Sequence, residues 1–208
     1  MATTDTPLLT LSGFGCARAG DVLFEHLDLT VTAGQCLALI GPNGSGKTTL
    51  LRALAGLFAD YEGTATAPSS AYLGHKAGVP RLLGVLDGLR WYQRLLGRDE
   101  PLAPALAEVG LHGYENVAAG DLSAGQLRRL ALVRLQMQQA ALWLLDEPYT
   151  ALDEQGQQLL DTLIVKHCRS GGAVIAATHQ ALGVGPHDPL HTLVVQGSLR
   201  FERIRIDG

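Results

Sequence analysis

Residues Gly41-Pro42-Asn43-Gly44-Ser45-Gly46-Lys47-Thr48 set three glycines and a serine ahead of a lysine and a hydroxyl. Small residues let successive backbone N–H groups turn inward around anionic oxygens. A helix starting at the end of such a run presents its N-terminal dipole to the same anion. The spacing is G-x-x-x-x-G-K-[ST], the pattern of a loop that cradles nucleotide phosphates. On this reading the nucleotide contacts run from Gly41 through Thr48 and on to Thr49, Lys47 reaches the β and γ phosphates, and the Thr48 hydroxyl ligates Mg²⁺. Further on, Leu142-Trp143-Leu144-Leu145 lead into Asp146-Glu147. A buried strand ending in Asp146 places that carboxylate beside the loop, where it holds Mg²⁺ through water. Glu147, one residue nearer the incoming water, is the expected general base, and Pro148 turns the chain away.

A third segment, Leu122-Ser123-Ala124-Gly125-Gln126, opens a helix. Ser123 and Gln126 have capping-box spacing, and Leu127, Leu130, Ala131 and Leu135 follow at helical intervals. Taken alone, this is a well-capped helix whose N-terminus could meet an anion.

Several elements must position these groups. Leu9, Leu11, Val22-Leu23-Phe24, Leu27, Leu29 and Val31, broken by Gly13, Gly15 and Gly20, predict short antiparallel strands. Gln35–Ile40 is almost wholly apolar and predicts a strand buried on both faces, as in a parallel sheet covered by helices. Leu50, Leu51, Leu54 and Leu57 predict a helix over Thr48–Leu57. Val79–Gln139, rich in Leu and Arg at helical spacing, reads as a helical lobe inserted in the α/β core. Leu142–Leu145 and Ala173–Ala177 predict two more buried strands, flanking a helix from Glu154 to Cys168. Leu193-Val194-Val195 and Phe201–Ile206 predict a hairpin turning at Gly197-Ser198, and Gly183–Pro189 reads as loop.

The chain has 208 residues, 47% hydrophobic and 17% charged, with a formal net charge of −4. That bounds it to one domain, or one domain with an appended lobe, and excludes disorder. The acidic balance argues against a general nucleic-acid coat. No apolar run approaches the ~20 residues a bilayer requires, and no leader pattern stands at the N-terminus. Cys16, Cys36 and Cys168 are scattered and odd in number, which fits unpaired thiols in a reducing compartment. A cytosolic location is the expectation.

Leu122-Ser123-Ala124-Gly125-Gln126, lying between a phosphate loop and an apolar Asp-Glu strand, resembles the signature of ABC-type ATPases. Thr150-Ala151-Leu152-Asp153 resembles that family's D-loop, and His179 resembles its switch histidine. The resemblance implies an α/β fold of ABC-type P-loop NTPase character. It would have a RecA-like core (about 1–78 and 140–208), an N-terminal antiparallel β subdomain and an inserted helical subdomain (about 79–139). It also implies an ATP-dependent head-to-tail homodimer. In that dimer Ser123, Gly125 and Gln126 of one subunit close over the nucleotide held by Lys47 of the other. His179 then contacts the γ-phosphate, and Asp153 communicates across the interface.

Two family elements differ. The adenine-stacking aromatic falls near Arg18, whose guanidinium can also stack on a base, with Phe14 four residues earlier. The Q-loop glutamine expected after Ala71-Tyr72-Leu73-Gly74 is replaced by His75 and Lys76, so His75 is the candidate for part of the Mg²⁺ contact. Tyr72-Leu73-Gly74-His75, the run Trp143–Asp153, and Thr178-His179-Gln180 resemble one subfamily. It comprises the ATP-binding subunits of the bacterial cytochrome c maturation (haem exporter) ABC transporter. That likeness implies ATP hydrolysis at the cytoplasmic face of the inner membrane. A membrane permease would be contacted through the Q-loop and the lobe around Arg81–Arg98, alongside other cytochrome c maturation membrane proteins. Haem would be released or exported to a periplasmic haem chaperone, with no nucleic-acid partner. Two alternatives stand beside it: the ATPase of another ABC transporter, and a soluble ABC-class ATPase acting on nucleic acid or ribosomes. A single phosphate loop and the short span between Lys47 and Ser123 weigh against the latter.

Overall fold

The computed structural model describes residues 7–18, 20–196, 199–204 and 206. Two 12-residue strands, β1 (Pro7–Arg18) and β2 (Asp21–Thr32), pair antiparallel, and β4 (Tyr61–Thr66) adds to β1. The glycines expected to break these strands bend them instead. Register slips between Leu11 and Phe14, where Gly13 takes a φ of 55°, so the extra residue is absorbed as a bulge and the strand continues.

The main sheet has the order β5-β6-β7-β3-β9-β8. Strands β3 (Cys36–Ile40), β5 (Ser70–Leu73), β6 (Leu142–Asp146) and β7 (Ala173–Ala177) run parallel. Strand β9 (Leu199–Ile204) lies antiparallel to β3, and β8 (His187–Gln196) pairs with β9. Strand β8 begins at His187, inside the stretch read as loop, and the predicted turn at Gly197-Ser198 lies outside the described residues.

Both faces of this sheet are covered, which is why its strands read as continuous apolar runs. Side chains alternate across the pleat. On one face Leu37, Leu39, Leu142, Leu144 and Ile175 pack with Leu50, Leu51 and Leu54 of helix α1 (Lys47–Leu54) and with Phe14, Phe24 and Phe201. On the other, Ala38, Trp143, Leu145, Val174 and Ala176 pack with Leu130, Leu132 and Leu135 of α4 (Ala124–Met137) and with Leu160, Leu163 and Ile164 of α5 (Glu154–Arg169). Full burial of one such leucine contributes about 1.5–3 kcal/mol, so each face of the sheet anchors a different set of helices. Helix α1 ends at Leu54, short of the predicted Leu57, which is exposed.

The helical stretch contains α2 (Val85–Leu96), closed by Gly97 at a φ of 65°, then α3 (Leu102–Glu108), a 3-10 turn at Ala119–Asp121, and α4. Its apolar residues Leu89, Leu106, Val109 and Leu111 continue into the core beneath α4, so α4 joins the helical stretch to the sheet. Among the described residues no helix is long and apolar enough to cross a membrane.

Candidate functional site

Four loops leave the carboxyl ends of the parallel strands: 41–46 after β3, Gly74-His75 after β5, Glu147-Pro148 after β6 and Thr178-His179 after β7. That end of an open parallel sheet is where α/β folds hold ligands. The loops surround a cavity of about 590 Å³ lined by Leu23, Asn43 through Thr49, His75, Glu147, Thr150 and His179.

Gly46 caps α1 at a φ of 93° and Gly44 stands at 81°, conformations that side chains with a Cβ disfavour. At Gly41 a Cβ would lie 2.7 Å from Ser45 Oγ and 3.3 Å from Leu199 Cα, so a side chain there would force its neighbours to shift. Ser45 Oγ is itself buried without a hydrogen-bond partner. An orphaned hydroxyl inside a ring of backbone amides at a helix N-terminus fits a phosphate oxygen. Lys47, only 8% exposed, donates from Nζ to the carbonyls of Gly41 (2.7 Å) and Pro42 (3.0 Å), which lays its charge across the mouth of the loop.

Asp146, 4% exposed, accepts from Thr48 Oγ1 and from Tyr72 Oη, both at 3.1 Å. The intervening strand ends in Ala177, which pairs with both Leu39 and Asp146. Its small side chain leaves room for α1 and β6 to meet across the sheet end. A hydroxyl and a carboxylate so joined are the hard oxygen donors that Mg²⁺ takes when phosphates and water complete its shell. Burial pushes the Tyr72 phenol above its ordinary pKa, opposed by a hydrogen bond with Arg52.

Glu147 Oε1 lies 3.1 Å from His179 Nε2. The Glu147 backbone has a φ of 45°, and its N–H donates to Ala177 O at 2.8 Å. This left-handed residue turns the chain at the strand end and sets its carboxylate beside the histidine on the cavity wall. His75 is exposed and lines the same cavity. It also lines a neighbouring cavity of about 440 Å³ with Arg52, Lys76 and Arg134.

The remaining sequence-predicted residues stand elsewhere. Ser123 caps α4: its Oγ accepts from Gln126 N (3.2 Å), while Gln126 Oε1 accepts from Ser123 N (2.9 Å), completing the expected capping box. Gly125 faces the Thr150–Asp153 segment, where a Cβ would sit 3.0 Å from Ala151 O. Asp153 caps α5 through Gly156 N and pairs with Arg129 at 2.6 Å. The Arg129 hydrogen bond, with that of Gly156, holds the Asp153 carboxyl below the usual range. None of Ser123, Gly125, Gln126 and Asp153 lines the phosphate cavity of its own chain. Arg18 ends β1 opposite Asp21, and its side chain lies outside the described residues.

Two residues escaped the sequence reading as site groups. Tyr72 was visible only as part of the Q-loop pattern, and its phenol reaches Asp146. Arg128 is 3% exposed and its guanidinium donates to four carbonyls. Burial pulls its pKa down, against the pull of the nearby Asp146 charge. The available signal was its place at i, i+3, i+7 with Ala131 and Leu135, which puts a charge on the apolar face of α4.

Residues 24–150 match the ABC transporter family model, and the chain belongs to that family. Within the family it is similar to the cytochrome c biogenesis ATP-binding export proteins CcmA. It is 41% identical over 196 residues to that of Idiomarina loihiensis, covering 88% of this chain and 90% of the relative. With that of Pseudomonas putida KT2440 it shares 42% over 189 residues, covering 84% and 90%. A solved ATP-binding subunit of an ABC transporter superposes with a TM-score of 0.75 at 21% identity, covering 83% of this chain and 80% of the other, and confirms the fold.

Proposed function

We propose that this chain is the ATP-hydrolysing subunit of a membrane export complex for cytochrome c biogenesis, whose cycle releases or exports haem to a periplasmic haem chaperone. The observation that carries the ATPase half is the Glu147–His179 pair at 3.1 Å on the wall of the phosphate cavity. The biogenesis half rests on the names of relatives matched over most of the chain.

In this reading the amides of 43–48 and the Lys47 ammonium bind the triphosphate, and Arg18 stacks on adenine. Thr48 and Asp146, with His75 nearby, would hold Mg²⁺, which when bound offsets phosphate charge. Glu147 accepts the proton of the attacking water at its carboxylate while His179 fixes that carboxylate and meets the γ-phosphate. A positioned base of this kind contributes about 10²–10⁴-fold. Ser123, Gly125 and Gln126 act on the nucleotide of a second copy in a head-to-tail dimer, and Asp153 lies at that interface. The intact chain works at the cytoplasmic face of the inner membrane, bound to a permease. Exposed Leu82, Trp91 and Leu95 in the helical stretch support a docking face there.

Purification of the tagged chain from membranes tests the assignment. Co-purification with integral membrane proteins that retain haem, and ATPase activity of that assembly, is the expected result. An assembly that hydrolyses ATP but carries another cargo would leave the ATPase and overturn the biogenesis role.

A further inference from the structure

We propose that Arg128 is a positioning residue for the hydrolytic base, holding Glu147 on the cavity wall from behind. The proposal rests on the ATPase reading above. Arg128 Nε donates to Pro148 O (3.1 Å), and Nη2 donates to Asp146 O (3.2 Å) and Glu147 O (2.9 Å). Three consecutive carbonyls at the end of β6 therefore converge on one buried guanidinium. Nη1 donates to Gly74 O at 2.6 Å, at the start of the segment that bears His75.

The geometry accounts for an otherwise awkward backbone. Glu147 is a non-glycine residue at a φ of 45°, and a left-handed turn of this kind persists only where its surroundings fix it. Ala177 O takes its N–H from one side and Arg128 takes its carbonyl from the other. With both peptide groups pinned, the side chain leaves toward His179. A planar fork of five donors suits carbonyls from two separated segments; a lysine ammonium offers three donors from one point and cannot span them. Arg128 also sits on the first turns of α4, the helix capped by Ser123 and Gln126. Any shift of that helix would be felt at Glu147 and Gly74 together.

The test compares Arg128→Lys, Arg128→Gln, Glu147→Gln and the double variant Arg128→Lys/Glu147→Gln in the purified membrane assembly. Melting curves and binding of a fluorescent ATP analogue are measured on each. Arg128→Lys should lower kcat by about 10²-fold, the loss a displaced catalytic group produces, with KM and ATP binding changed by no more than about threefold. In the Glu147→Gln background the same change should cost nothing further, because both act on one group. Arg128→Gln, which keeps two donors, should also fold and bind ATP while losing turnover. Additive losses in the double variant, an unchanged kcat, a rise confined to KM, or failure of both variants to fold would each overturn the proposal, the last by making Arg128 purely scaffold. Absence of turnover in the unsubstituted assembly would instead remove the ATPase reading itself.

Discussion

Replacing Lys47 by Met tests the phosphate loop with least disturbance, because Met keeps the unbranched stem and removes only the ammonium. Two Nζ bonds go to Gly41 and Pro42 carbonyls, leaving one donor for an incoming phosphate oxygen. A hydrogen bond between charged groups contributes about 1.5–3 kcal/mol. Losing one net bond of that kind raises the ATP dissociation constant about ten- to a hundredfold. Lys47 itself lines an open cavity of about 590 Å³, so water enters from there in place of the lysine. The melting temperature should therefore move by no more than about 3 °C, the equivalent of roughly 1 kcal/mol for a chain of this size. Competition of ATP against a fluorescent analogue gives the constant, and scanning fluorimetry without nucleotide gives the melt. A dissociation constant within about threefold of the unsubstituted chain would refute the placement of Lys47 on the phosphates. So would weak binding that merely accompanies a collapsed melting transition.

Glu147→Gln should lower phosphate release by about 10²–10⁴-fold while ATP binding is retained and the closed dimer accumulates, as size-exclusion chromatography with ATP would register. Gly41→Ala places a Cβ 2.7 Å from Ser45 Oγ and 3.3 Å from Leu199 Cα. It should destabilise the fold by about 1–3 kcal/mol in a denaturant titration and weaken ATP binding as well. The Asp153 carboxyl is held below its ordinary range by Arg129, so the stability it contributes is present above the unfolded carboxylate range and lost as pH falls through the lowered value. Asp153→Asn should accordingly flatten the fall of melting temperature below about pH 4 and leave the neutral-pH slope unchanged.

The parts of the fold legible in the sequence are those where one physical signal dominates. Residues 36–40, 142–146 and 173–177 lie under helices on both faces, so burial wrote itself as unbroken apolar runs. Ser123 and Gln126 form their capping box because its spacing is purely local. Long-range consequences were not legible. Strand β4 is exposed throughout and carries no hydrophobic pattern. The antiparallel seat of β9 beside β3 depends on pairing between distant segments. In the site, the glycine loop and Asp146 announce themselves by residue type. The Tyr72 phenol on Asp146 and the Arg128 fork behind Glu147 follow only once β5, β6 and α4 are brought together.

Strand β3 enters the phosphate loop with β7 on one side and β9 on the other, and Leu199 packs against Gly41. Both neighbours are encoded far downstream of the loop they support. A growing chain thus carries the loop residues before the two strands that flank β3 have been made, and pairings this distant form slowly. A chain cut short before Leu199 would lack one of the two strands that flank the strand leading into this loop.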